Sequence, residues 1–241
     1  SLAKDLRVII IKFADRLNNM ETIQYLSSKK RKEIALETKE IFVPLAHKLG
    51  MAKLKWELED LSLKCLDLRS YNSIKKKIET SARLNEDILN NAIRPVKKEL
   101  KSYNIKSNIF GRYKSISSIN RKIIKSNKKF EDIYDLYAIR IIVDKIEECY
   151  LALGIIHSIY PPLQDRFKDF IATPKTNGYQ SIHTTVLTKD NRLTEVQIRT
   201  KEMDDTAEVG VAAHWLYKGE NEIGEFDSQV SWLRDLLSII A

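Results

Sequence analysis

The hydrophobic residues change their period near Asn104, so one kind of secondary structure cannot serve the whole chain. Before that point the stripes repeat every three or four residues. Leu6, Ile9, Ile10, Phe13, Leu17 and Met20 form one, Ile34, Thr38, Ile41, Leu45 and Leu49 a second, and Trp56, Leu58, Leu61, Leu63 and Leu66 a third. That spacing is one face of an α-helix, and Gly50 is the expected stop of the second. A long polar helix follows from about Ser70 to Tyr103, with Lys75 to Lys77 on its wet face. After Asn104, Ile105 to Phe110 alternates as a strand does, Gly111 is expected to interrupt it, and Ser115 to Ile124 returns to helix. Tyr137 to Val143 is a β-branched, mostly apolar run typical of a central strand. Glu147 to Tyr160 is helical and stops at Pro161 and Pro162. Ser181 to Leu187 and Leu193 to Arg199 alternate around a polar loop, a hairpin signal, and Lys201 to Lys218 is helix again. The expected fold class is α+β, an N-terminal helical segment followed by a mixed β-sheet flanked by helices.

Composition narrows the class. Seven Gly and five Pro in 241 residues exclude a collagenous or turn-dense all-β chain. Two Cys exclude a disulfide scaffold, and the longest uncharged stretch, Tyr150 to Gln164, is too short to span a bilayer. A soluble, cytoplasmic protein without membrane contact is expected. The chain opens on Ser1 and stops within the apolar pattern Trp232 to Ala241, so it reads as a piece of a longer protein.

Charge is unevenly spread. Residues 1–130 carry 30 Lys and Arg against 14 Asp and Glu, whereas residues 131–241 carry 11 against 19. From Lys101 to Phe130 there are nine cations and no acid. Such a run serves as a solvated face, a nucleic-acid contact or a polyphosphate pocket. Within it, Gly111-Arg112-Tyr113-Lys114 is expected to turn sharply, and Ser118 and Lys122 follow on one helix face, a cationic strip at a helix N-terminus that suits polyphosphate. Asp135, just before the apolar strand, and Glu195, in the second hairpin strand, are either ordinary surface acids or two hard oxygen ligands for Mg²⁺. The segment Arg166 to His183 joins Arg166, Lys168 and Lys175 to Asn177-Gly178, Tyr179 and His183, a mixture that suits a nucleotide as well as ordinary packing.

The strings GRYKSISSINRK, YDLYAIRIIV, RFKDFIATPKTNGYQSIHTTV, EVQIRT and AEVGVAAHW resemble the synthetase domain of the RelA/SpoT alarmone enzymes, over roughly residues 104–218. IIIKFADRLNNMETI is similar to the last helical motif of that family's HD-type hydrolase domain, with Asn18 where the family usually has His. ETKEIFVPLAHKLGMAKLKWELEDLSLKCL resembles the helices that link the two. The resemblance implies a hydrolase remnant at 1–26, a helical linker bundle at 27–103 and a nucleotidyltransferase-like synthetase domain at 104–241. It implies transfer of pyrophosphate from ATP to the 3′-OH of GDP or GTP, giving AMP and (p)ppGpp. Asp135 and Glu195 would hold Mg²⁺, and Glu195 would also accept the 3′-OH proton. Arg112 would lie against adenine, and Lys114, Ser118 and Lys122 would grip ATP phosphates. Tyr179 would stack on guanine, with Lys168, Lys175, Asn177 and His183 on the acceptor nucleotide, and Arg140, Arg166, Gln197 and Arg199 as supports. The basic Arg166-Phe167-Lys168-Asp169 resembles the bifunctional branch of the family. Contact with ribosome or tRNA is assigned to domains outside this chain. Of the hydrolase ligands only Asp15 is retained: the four His precede Lys48, Ser158, Thr184 and Trp215, so no His-Asp pair exists. Hydrolysis, which needs Mn²⁺ in a complete hydrolase domain, is therefore not expected, and Ile9 to Ile11 and Phe13 should be exposed or re-docked on the linker helices. Two rivals stay open, a catalytically silent RNA- or ribosome-binding module and an AMP-transferring enzyme that would release pyrophosphate.

Overall fold

Residues 6–66 fold as their periodicity requires, into helices α1 (Leu6–Glu21), α2 (Ser28–Glu37), α3 (Val43–Lys48) and α4 (Ala52–Leu66). The computed structural model describes residues 6–126, 130 and 136–210. These fall into two compact units, 6–66 with 208–210, and 67–207.

In the first unit, Ser27 caps α2 by accepting the Lys30 backbone N–H. A π-turn at Thr38–Phe42 joins α2 to α3, with the Val43 N–H bonded to the Thr38 carbonyl. The wide turn runs into Pro44, which has no N–H to give to a carbonyl four residues back. Ile9, Phe13 and Met20 of α1 pack with Ala35, Val43, Leu45 and Leu58 in one apolar cluster. The apolar stripe of α1 is thus covered within this unit. Ile9 and Phe13 are each only 2% exposed, while Ile11 stays 65% exposed. Arg16 holds this corner with two bonds to Glu37, of 3.0 and 2.9 Å, and its guanidinium lies 4.1 Å from the Phe42 ring centre. Gly210, at φ 64°, lies so close to the backbone of Leu49–Met51 that a Cβ would overlap it.

The second unit begins with α5 (Leu68–Ser102), a helix of 35 residues capped by the Asp67 carboxylate on the Ser70 N–H. Five strands follow, β1 (Ser107–Tyr113), β2 (Tyr137–Val143), β3 (Lys168–Asp169), β4 (Ile182–Leu187) and β5 (Leu193–Thr200), in the order β1-β2-β5-β4-β3. Only the β2–β5 pair is parallel. Helices α6 (Ile116–Ser126), α7 (Ile146–Ile159) and α8 (Lys201–Val209) complete the described α-helices. One face of the sheet, with Ile139, Ile141, Val196, Ile198, Ile182 and Val186, packs against Leu89, Ala92, Val96 and Leu100 of α5 and Ala152 and Ile156 of α7. The expected α+β class with one mixed sheet is what is found.

The structure departs from the sequence reading, or adds to it, at three points. Gly111 does not interrupt the first strand or turn it sharply. The strand runs through it to Tyr113, paired with Ile139, and the missing side chain leaves room for Leu89, whose Cδ1 would lie 2.6 Å from a Cβ. The compact units divide after Leu66, because the apolar stripe of α5 is spent on the sheet, and period alone cannot say which partner a stripe covers. The short β3 carries too few residues to show any alternation. Asp135, residues 211–218 and the Trp232 to Ala241 stripe lie outside the described residues. Among the described residues no helix is long and apolar enough to cross a membrane.

Candidate active site on the polar face of the sheet

Strand alternation does most of the positioning. Arg112 of β1 pairs with Ala138, Ala138 with Glu195, and Glu195 with Thr185. In the next row of that face Arg140 pairs with Gln197, Gln197 with His183, and His183 with Lys168. Paired residues point to the same side. The face opposite the apolar core therefore carries Arg112, Arg140, His183, Glu195, Gln197 and Arg199, with Lys168 at its edge.

Glu195 is the centre of the cluster. Its Oε2 lies 3.1 Å from Lys114 Nζ, and its Oε1 accepts the Gln197 amide at 2.9 Å with His183 Nδ1 at 3.4 Å. Burial alone would raise this carboxyl, but the Lys114 ammonium, the Gln197 bond and His183 outweigh it and hold the group below its ordinary value. It is a carboxylate at neutral pH.

His183 goes the other way. Burial, with the positive charges of Lys175, Arg199 and Lys168 and against the pull of Glu195, pushes it down to about 4. The ring is neutral, and the anionic Glu195 on one side places its proton on Nδ1. Nε2 then accepts the Tyr179 hydroxyl, 2.7 Å away. NMR of the imidazole should find the Nδ1–H tautomer from pH 5.5 to 8, and a midpoint above pH 6 would overturn the assignment. The sign follows from linkage: the unfolded chain takes the proton first, near 6.5, so this group's contribution to stability is lost as pH falls from there toward 4.

Around the imidazole stands an aromatic corner. Phe170 meets His183 edge-on at 5.3 Å and Tyr179 at 6.1 Å. Lys175 Nζ sits 4.5 Å from the Phe170 ring centre and 5.0 Å from that of Tyr179. The Asn177 side chain accepts the Tyr179 N–H at 3.3 Å, which ties the loop to the aromatic it presents. Arg166 ends a short 3-10 turn two residues before Lys168.

The cationic strip is built on extended chain, not on a turn. Arg112 and Lys114 are two residues apart on and just past β1, and the Lys114 N–H bonds to the Leu136 carbonyl at 3.1 Å. Ser115 caps α6, accepting the Ser118 N–H at 3.3 Å and donating to Ser118 Oγ at 2.7 Å. Ser118 and Lys122 are one helical turn apart on α6. The strip thus leads from Glu195 to a helix N-terminus.

Sequence reasoning overlooked Asp204. In the first turn of α8 its Oδ1 takes Arg140 Nη1 at 3.2 Å and also pairs with Arg199 Nη2. A signal existed: an arginine inside an apolar strand such as YAIRIIV demands a buried carboxylate from elsewhere. Phe170 and the cap Ser115 were missed as well, though both lie inside the strings RFKDFIATPKTNGYQSIHTTV and GRYKSISSINRK.

The donor set fits a hard divalent ion only in part. Glu195 offers one anionic oxygen edge, in keeping with a cation that completes its shell with water and phosphate oxygens. Among the described residues no group of three His, Cys, Asp or Glu is arranged to hold a metal, and the second candidate, Asp135, is not described. Asp15 is exposed on α1, its Oδ2 accepting the Asn19 amide at 3.0 Å.

Comparison with known proteins bears on this face. Residues 111–222 match the region found in RelA/SpoT proteins, and residues 1–52 match an HD domain. The chain is 50% identical over 225 residues to a guanosine-3′,5′-bis(diphosphate) 3′-pyrophosphohydrolase of Spiroplasma citri, covering 92% of this chain and 30% of that one. It is 43% identical over 246 residues to the bifunctional (p)ppGpp synthase/hydrolase RelA of Mycobacterium tuberculosis, covering 98% and 33%. It is 45% identical over 224 residues to a GTP pyrophosphokinase of Streptomyces coelicolor, covering 93% and 26%. The chain thus spans about a third or less of the length of these relatives.

Proposed function

The chain belongs to the RelA/SpoT family, and from that premise we propose that its sheet-borne site transfers pyrophosphate from ATP to the 3′-OH of GDP or GTP, releasing AMP and (p)ppGpp. The observation that carries this reading is the Lys114–Glu195–His183–Tyr179 chain, which joins a polyphosphate strip to an aromatic corner on one sheet face. In-line transfer from a phosphate oxygen of ATP to a ribose hydroxyl needs positioning and neutralised charge more than a covalent nucleophile. That is what these residues supply.

In this reading Arg112 covers adenine, and Lys114, Ser118 and Lys122 receive the ATP phosphates. Lys114 has a double task. Without nucleotide it neutralises Glu195 at 3.1 Å, and an arriving phosphate competes for the same ammonium, freeing the carboxylate beside the reacting oxygens. Glu195 then accepts the 3′-OH proton, its affinity for a proton rising as the Lys114 ammonium is drawn to the phosphates. Tyr179 stacks on guanine, and Lys168, Lys175, Asn177 and His183 hold the acceptor. Glu195, with Asp135, would hold Mg²⁺, which supplies charge neutralisation to the phosphate oxygens when bound. Thin-layer separation of labelled ATP after incubation with GDP and Mg²⁺ tests the reaction. AMP and a tetraphosphate are expected. Released pyrophosphate, or no turnover, would overturn it.

Tyr179→Ala should weaken guanine-nucleotide binding by about 1–3 kcal/mol, the worth of a base–aromatic stack. Tyr179→Phe should keep most of that affinity, because the ring face does the stacking, while losing the 2.7 Å bond to His183. Calorimetric titration with GDP distinguishes them, and equal damage from both would count against stacking.

These 241 residues are proposed not to hydrolyse the alarmone, since none of their four His precedes an Asp and one exposed Asp15 cannot build a tight site. The purified chain incubated with ppGpp and Mn²⁺ should release no pyrophosphate above a protein-free control. Release above it would overturn this.

A further inference from the structure

Two arginines stand in the polar face of the sheet with almost no exposure, Arg140 at 4% and Arg199 at 1%. Burying one guanidinium is costly, and burying two on neighbouring strands adds their repulsion. A single carboxylate oxygen, Asp204 Oδ1, meets both, taking Arg140 Nη1 at 3.2 Å and forming an ion pair with Arg199 Nη2. The two cations are then committed in opposite directions. Arg140 lies beside Phe110 of the edge strand, its guanidinium 5.7 Å from the ring centre. Arg199 lies 5.9 Å from the centre of the Tyr179 ring, and Tyr179 in turn bonds to His183 and meets Phe170.

We infer that Asp204 is a positioning residue for the acceptor side of the site: by fixing Arg199 it fixes the Tyr179–His183–Phe170 corner, without touching a nucleotide itself. This rests on the reading of that corner as the guanosine-nucleotide side. The strip of Arg112, Lys114, Ser118 and Lys122 belongs to β1, α6 and the turn between them, and Asp204 makes no described bond to it. The two substrates should therefore respond differently when the carboxylate is removed.

That difference makes the idea testable against a merely structural role, because general loosening would weaken both nucleotides. In the 241-residue chain, Asp204→Asn should raise the KM for GDP about tenfold and leave the KM for ATP within about twofold. Asp204→Glu, which keeps the charge on a longer stem, should recover part of the loss. Because Asp204→Asn strips a carboxylate from two buried cations and so risks the fold, the charge-balanced pair Asp204→Asn with Arg199→Gln is the second variant. If Asp204 acts through Arg199, this double variant should be no worse toward GDP than Arg199→Gln alone, and calorimetry should give the same ordering for GDP binding without turnover. Equal weakening of ATP and GDP, or full additivity in the double variant, would overturn the inference while wild-type synthesis stands. A wild-type chain that binds neither nucleotide would remove both the inference and the functional reading beneath it.

Discussion

Glu195→Gln should reduce pyrophosphate transfer at least about a hundredfold, roughly 2.7 kcal/mol of barrier, while the melting temperature changes little. The amide keeps the shape of the side chain but gives up the charge that Lys114, Gln197 and His183 converge on. It can neither accept the 3′-OH proton nor serve as a hard anionic ligand. The folding cost is small because the burial of Glu195, whose side chain is 19% exposed, already opposes its ionisation. Initial rates by thin-layer separation, with a parallel melting curve, decide the matter. A loss under tenfold in a folded protein would remove Glu195 from the chemistry. Asp135→Asn is expected to behave alike if the two acids share the metal.

Leu100→Ala should destabilise the sheet-bearing unit by about 2–5 kcal/mol, the usual cost of emptying a fully buried leucine site. Leu100 is 0% exposed and sits in the cluster that joins α5 to β2, β4 and β5. If α5 served only as a linker, its loss would leave the sheet untouched and the proposed nucleotide site intact. Denaturant unfolding followed by intrinsic fluorescence, alongside GDP binding, separates the two cases. A shift below about 1 kcal/mol would return α5 to the linker.

Much of the candidate site was legible because strand alternation is written in the chain. Glu195, Gln197 and Arg199 are two residues apart in a run whose other positions are Val196 and Ile198, so the polar face could be read without neighbours. The motif strings carried Lys114, Ser118, Tyr179 and His183 in the same way. What stayed hidden were partners brought together by pairing and docking. Sequence cannot say that Lys114 and Glu195, 81 positions apart, share an ion pair, since that depends on β1 and β5 both flanking β2. Nor does it say that the Tyr179 hydroxyl is committed to His183.

Local chemistry by itself determined the elements: period set the helices, β-branching set β2, the polar break at Thr188 to Arg192 set the hairpin, and Gly50 ended its helix at φ 72°. Those are short-range preferences, decided within a few residues of chain. Tertiary structure alone decided that α5 belongs to the sheet, that Gly111 is a gap for Leu89 and not a turn, and that one carboxylate at Asp204 answers arginines from two strands. A stripe, a missing Cβ or a buried charge each states a need, but the group that meets the need comes from a distant part of the chain. Only the packed fold selects it, because burial energy depends on the whole environment of a side chain and not on its neighbours in sequence.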